Sequence, residues 1–140
     1  MPITGGMKFF EESKSLFKDG ASAIASTGSS SAVLALDKNR FTFWRSSGSS
    51  DVSTETVTIT LPTTSTIDRL FIVNHNFKGF RVRYENGGGL TDFTNVNGID
   101  GALGGGILET DFSDDTAYYE FDAVSVDQIE IEVTTTQVAD

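Results

Sequence analysis

The sequence predicts an all-β fold, a jelly-roll β-sandwich of about eight antiparallel strands preceded by a short helical or irregular segment. Three observations predict it. Apolar and polar residues alternate at a period of two in several short runs, β-branched Thr, Val and Ile occur throughout, and turn residues interrupt the runs at close spacing. At 140 residues the chain has the usual size of one domain.

The elements follow in order. Lys8 to Phe17 places Phe9, Phe10, Leu16 and Phe17 on a common face, which predicts a short helix. Residues 1–19 are therefore read as an N-terminal docking segment and 20–140 as the domain proper. Gly20 to Ser31 is almost wholly Ala, Ser, Thr and Gly, and is read as a small-residue strand. Glu55 to Leu61 puts Val57, Ile59 and Leu61 on one face and Thr56, Thr58 and Thr60 on the other, before Pro62 stops the ladder.

Thr66 to Asn74 contains the apolar run Leu70 to Val73, which predicts a central strand covered on both faces. Gly79 to Tyr84 alternates Phe80, Val82 and Tyr84 with Arg81 and Arg83, and is a strand with an aromatic inner face. Thr116 to Asp122, with Tyr119 and Phe121, and Gln128 to Thr134, with Ile129, Ile131 and Val133, are strands by the same rule. Between them, Glu85 to Asp115 carries the glycine runs Gly87 to Gly89 and Gly104 to Gly106. Loops dominate there, with Phe93, Ile107, Leu108 and Phe112 anchoring two short strands.

Charge excludes several function classes. Twenty Asp and Glu oppose ten Lys and Arg, so the net charge is -10 and a nucleic-acid partner loses its electrostatic support. The distribution is uneven: all ten basic residues lie at or before Arg83, against seven acids, whereas the rest of the chain holds thirteen acids and no base. With no Cys there is no disulfide, thiolate nucleophile or cysteine zinc site. His75 is the only His, which excludes a multi-histidine metal site. No Gly-x-Ser-x-Gly elbow accompanies it, and neither glycine run is followed by Lys-Ser/Thr, so the chain is read as neither an enzyme nor a nucleotide binder. No run of about 18 apolar residues predicts a membrane span, and the opening residues show no signal-peptide pattern.

Ala32 to Ser47, AVLALDKNRFTFWRSS, resembles the signature of discoidin domains, also called coagulation factor 5/8 type C domains, among the galactose-binding-like jelly rolls. Leu36, Asp37, Thr42 and Trp44 match that signature, while Lys38 and Asn39 stand where Gly and Asp are usual. Ser65 to Gly87, STIDRLFIVNHNFKGFRVRYENG, is similar to the discoidin-like domains of tailed-phage and prophage proteins, and so is Met7 to Phe10. This resemblance implies a jelly roll with binding loops at one end. It also implies a structural or assembly module of a phage or prophage virion, with neighbouring virion subunits or further copies as partners and a virion or extracellular location. The alternative is a module binding cell-surface carbohydrate through the end loops; fold alone does not choose between them.

Within the resemblance, Trp44 packs inside. Exposed aromatic platforms are sought near turns, at Phe77, Tyr84, Phe93, Tyr118 and Tyr119. Asn74, His75 and Asn76, with Arg81, Arg83 and Tyr118, form a candidate glycan set, since amide, imidazole and guanidinium groups match the donors and acceptors of sugar diols. His75 has a second reading, as a side chain satisfying the backbone of a turn. No cofactor is required. The resemblance places a Ca²⁺ in the signature loop, with Asp37, Asn39 and Thr42 as ligands and Glu130 or Glu132 as the closing acid. Lys38 and Asn39 work against that charge balance, and the alternative is an Asx-turn loop without metal.

Overall fold

The computed structural model of the chain describes residues 20–36, 44, 46 and 53–137. β1 (Ser22–Ala25) and a 3-10 helix (Ser29–Leu36) precede β2 (Glu55–Val73) and β3 (Phe77–Glu85). Four short strands follow: β4 (Thr91–Asp92), β5 (Thr94–Gly98), β6 (Gly101–Gly105) and β7 (Ile107–Glu109). The last strand is β8 (Thr116–Thr136).

Two long strands organise everything else. β2 and β8 pair antiparallel from Glu55 opposite Val133 to Val73 opposite Thr116, with register breaks at Thr60/Ser65 and Ile67/Arg69. One half of this ribbon is flanked by β1 and β3, giving the order β1-β2-β8-β3. The other half is flanked on the β8 side by β5, which in turn pairs with β6. The two halves form the two layers of a sandwich, and the ribbon bends between them beside Pro62, which has no N–H to donate to a ladder.

Alternation explains the core. Val57, Ile59, Leu61, Phe80, Val82, Ile129, Ile131 and Val133 are buried in the first layer, and Leu70, Val96, Ala117, Tyr119 and Phe121 in the second. Ile107, opposite Val82 where β7 pairs with β3, extends the first layer, and Phe93 and Phe112 are buried in the same core. Burying each such side chain contributes roughly 1.5–3 kcal/mol. Trp44 packs against this cluster, and its indole N–H donates to the Thr27 carbonyl at 3.0 Å, in agreement with its inward reading. β1 is held by Glu55, whose carboxylate accepts the Ser26 hydroxyl at 2.5 Å and the Thr27 hydroxyl at 2.8 Å. Those two bonds hold its carboxyl below the ordinary carboxylate range.

Several expectations need correction. Pro62 interrupts the pairing without ending the strand, and the runs read as Thr116–Asp122 and Gln128–Thr134 are one strand. The run at Leu70 is not covered on both faces, since Phe71 is 44% and Val73 65% exposed, and it pairs only with β8 among the described residues. Gly20 to Ser31 is strand only over Ser22–Ala25, because a 3-10 turn starts at Ser29. Glu85 to Asp115 holds four short strands instead of two. The helix read at Lys8–Phe17, and the docking segment 1–19 with it, lie outside the described residues. No described helix is long and apolar enough to cross a membrane.

Candidate functional site

Asn74, His75 and Asn76 form the turn between β2 and β3. Asn74 takes the left-handed conformation at φ 57°, which Asn tolerates better than most residues. The His75 backbone N–H donates to the Asp115 carbonyl at 3.0 Å, and its Nδ1 accepts the Phe77 N–H at 3.1 Å. An accepting Nδ1 places the ring hydrogen on Nε2, which is buried with no partner among the described residues. Phe77, Phe80 and Phe112 surround the imidazole at centroid distances of 4.8, 5.7 and 5.5 Å. Burial among these rings lowers the His75 pKa against the opposing pull of Asp115. The Asn76 carbonyl accepts the Gln137 N–H at 2.7 Å. This turn therefore ties the 111–115 loop and the end of β8 to one pole of the sandwich.

Arg81 and Arg83 lie on the outer face of the first layer. Arg81 makes a two-pronged pair with Asp92, at 3.1 and 2.6 Å. Arg83 reaches Glu130 at 2.8 Å and Glu132 at 3.4 Å. Tyr118 stands on the outer face of the second layer, where its ring lies 4.5 Å from that of Phe71 and its hydroxyl donates to Glu120. Burial and that bond raise the Tyr118 pKa to about 12. The fold thus brings Asn74, His75 and Asn76 together and places Arg81, Arg83 and Tyr118 elsewhere. Of the other platform candidates, Phe93 and Tyr119 are fully buried and offer no face to a ligand.

For calcium, Asp37, Asn39 and Thr42 lie outside the described residues. Glu130 and Glu132 face Arg83, which already supplies their counter-charge. Among the described residues no three acidic or histidine side chains gather in a metal-binding group.

A concave site that the sequence reading missed opens at the same pole. The β5–β6 hairpin turns through Ile99 and Asp100, with Gly98 opposite Gly101. Gly101 has φ 130°, a conformation that suits glycine. At Gly98 a Cβ would stand 3.3 Å from the Tyr119 ring, so glycine lets the hairpin settle closely on that ring. Between this hairpin and Glu109 and Phe112 lies a small cavity, walled also by Ile99, Ala102 and Leu103. The Tyr119 hydroxyl donates to Glu109 at 3.0 Å and fixes the carboxylate. Burial raises the Glu109 pKa, and the nearby Asp100 charge adds to the rise. Phe112 joins this cavity to the His75 turn, since it packs on that imidazole. The signal for Glu109 was present in the sequence: Ile107, Leu108 and Glu109 alternate, so the acid shares the inward side of Ile107.

No family model and no curated protein sequence matches the chain. Solved structures do match it. The CpGH89CBM32-5 module of Clostridium perfringens, in complex with GalNAc-β-1,3-galactose, is 14% identical with a TM-score of 0.62, over 83% of this chain and 85% of that one. The family 32 carbohydrate-binding module of C. perfringens NanJ, in complex with galactose, is 17% identical with a TM-score of 0.62, over 83% of each chain. Chitosan-binding module 2 of a chitosanase/glucanase from Paenibacillus sp. IK-5, in complex with chitotriose, is 18% identical with a TM-score of 0.62, over 84% of this chain and 86% of that one. At these identities the likeness is one of architecture: the chain has the jelly-roll β-sandwich fold that these modules share.

Proposed function

We propose that the protein is a carbohydrate-binding module that binds without catalysing a reaction, with its site in the cavity between the β5–β6 hairpin and the β7–β8 loop. The observation that carries this reading is the mixed lining of that cavity. Apolar groups of Ile99, Leu103 and Phe112 line it together with Asp100 and the hydroxyl-fixed carboxylate of Glu109. A pyranose likewise combines an apolar face with hydroxyl edges, and carboxylates accept hydrogen bonds from those hydroxyls. The match over 83–84% of this chain to modules solved with galactosides and chitotriose supports it. The virion-assembly reading has no comparable support, and the binding alternative is preferred.

Titration of the folded protein with a panel of neutral and amino oligosaccharides, followed by calorimetry, tests the proposal. Binding of at least one sugar is expected, weakened by Leu103→Asp in the cavity wall and unchanged by Lys78→Ala. Tyr118→Ala probes the outer face separately. Loss with Tyr118→Ala and none with Leu103→Asp would move the site to that face, and no binding across the panel would overturn the reading.

A further inference from the structure

We propose that Asn86 is a site of spontaneous modification, where the side-chain amide is lost through a cyclic imide and the residue becomes aspartate or isoaspartate. The chain contains two Asn-Gly pairs, Asn86-Gly87 and Asn97-Gly98, and the fold treats them differently. Asn86 and Gly87 follow the end of β3 and are both exposed. They lie outside the pairings of β3, which end at Tyr84 opposite Thr91 and at Glu85 opposite Gln128. A Cβ added at Gly87, Gly88 or Gly89 would meet nothing within 4 Å, so open space surrounds the turn. Three successive glycines also leave its backbone free to change conformation. Asn97-Gly98, by contrast, is built into β5: Asn97 pairs with Glu120 and Gly98 with Tyr119 of β8. Gly98 also lies against the Tyr119 ring, which a Cβ there would approach at 3.3 Å.

The chemistry favours the free turn. The Gly87 nitrogen, once its proton is lost to hydroxide, attacks the side-chain carbonyl carbon of Asn86. A carbon–nitrogen bond forms, the bond to the amide nitrogen breaks, and that nitrogen leaves as ammonia after taking a proton from water. Water then opens the imide. Opening at the side-chain carbonyl gives aspartate, and opening at the main-chain carbonyl gives isoaspartate, which carries an extra methylene in the main chain. Ring closure needs a rotated backbone and an approach that no Cβ crowds, and glycine at 87 supplies both. Asn97 reaches that geometry only after β5 leaves β8. Asp100-Gly101 has the same spacing, but an ionised carboxylate offers no leaving group to match ammonia. Each conversion at Asn86 adds a negative charge beside Glu85. The isoaspartate form also lengthens the connection to β4, which carries Asp92, the partner of Arg81.

The test incubates the full chain at mildly alkaline pH, digests samples at intervals and maps them by mass spectrometry, with isoaspartyl methyltransferase labelling to count isoaspartate. In the folded protein Asn86 is expected to convert at least about tenfold faster than Asn97, because opening β5 from β8 costs free energy that the 86–89 turn does not require. In urea the two rates should converge. Asn86→Gln, whose longer side chain closes a ring far more slowly, should remove the labelling and leave the melting temperature unchanged. Equal rates in the folded protein overturn the proposal, as does an Asn86 that stays intact while a free Glu-Asn-Gly-Gly peptide reacts to completion. Conversion to aspartate with no isoaspartate also overturns it, since direct hydrolysis of the amide would then replace the ring.

Discussion

The imidazole of His75 accepts the backbone N–H of Phe77 at 3.1 Å, so the only histidine of the chain closes the β2–β3 turn as a neutral acceptor. Its burial sets the sign of a pH effect. The folded pKa lies below the ordinary 6.5, so as pH falls the unfolded chain takes up the proton first. Stability present above about pH 6.5 is then lost as pH falls through that value toward the folded pKa. We expect His75→Phe to lose about 1 kcal/mol at pH 7.5, because the Phe77 N–H loses its acceptor. The difference in melting temperature between pH 7.5 and pH 5 should shrink in this variant. An unchanged difference would show that acid sensitivity arises elsewhere.

Ion pairs on this protein should differ in worth according to their exposure. The side chains of Arg83 and Glu130 are 23% and 17% exposed, so Arg83→Ala strands Glu130 and Glu132 on a partly covered face. A loss of about 1–3 kcal/mol is expected by urea unfolding. Lys78 and Asp111 are 44% and 85% exposed, and Lys78→Ala should stay within about 0.5 kcal/mol. Equal losses would mean that the outer face of the first layer is more hydrated than its burial shows.

Gly79 is fixed by space. A Cβ there would lie 2.7 Å from the hydroxyls of both Thr134 and Thr135, where β3 and β8 slip register. Gly79→Ala should destabilise by about 1–3 kcal/mol, as overpacking does. Adding Thr135→Ala should recover part of the loss, and an unaltered double variant would locate the strain in the backbone instead.

Tyr119→Phe removes the hydroxyl that fixes Glu109. A loss of about 1 kcal/mol is expected from the missing hydrogen bond. Glu109→Gln should behave oppositely near neutral pH. A carboxyl whose folded pKa is raised contributes stability below its unfolded value of 4.5, and that contribution is lost as pH rises through the folded pKa. The amide removes this cost, so its melting temperature at pH 7 should equal or exceed that of the parent. A lower value would assign Glu109 to the framework and not to a ligand.

Period-two alternation made most of the framework legible, because Val57, Ile59 and Leu61, or Ile129, Ile131 and Val133, record in sequence which side of a strand is dry. Continuity was not legible: Pro62 reads as an end, yet the chain carries extended backbone through the bend and resumes pairing at Ser65. The same holds for the glycine-rich stretch, whose β5 and β6 owe their pairing to positive φ at Gly101 and Gly104 more than to side-chain pattern. The site was harder still. Asn74, His75 and Asn76 are adjacent in sequence and stay together, whereas Glu109, Tyr119, Asp100 and Phe112 meet only because a hairpin folds back over β8.

The bent β2–β8 ribbon belongs to both layers at once, and this has a mechanical consequence. Neither layer can open without pulling on strands that also hold the other, so the domain should melt as one cooperative unit. Amide exchange should be slowest along the shared strands, around Ile59 and Ile129, which pair directly beside the bend. The β5–β6 hairpin, whose described backbone pairing with β8 is limited to Asn97 and Gly98 and is supplemented by side-chain bonds from Thr94 and Asn95 to Asp122, should exchange earlier. The wall of the cavity would then breathe while its floor stays rigid, giving a ligand a way in without loosening the core.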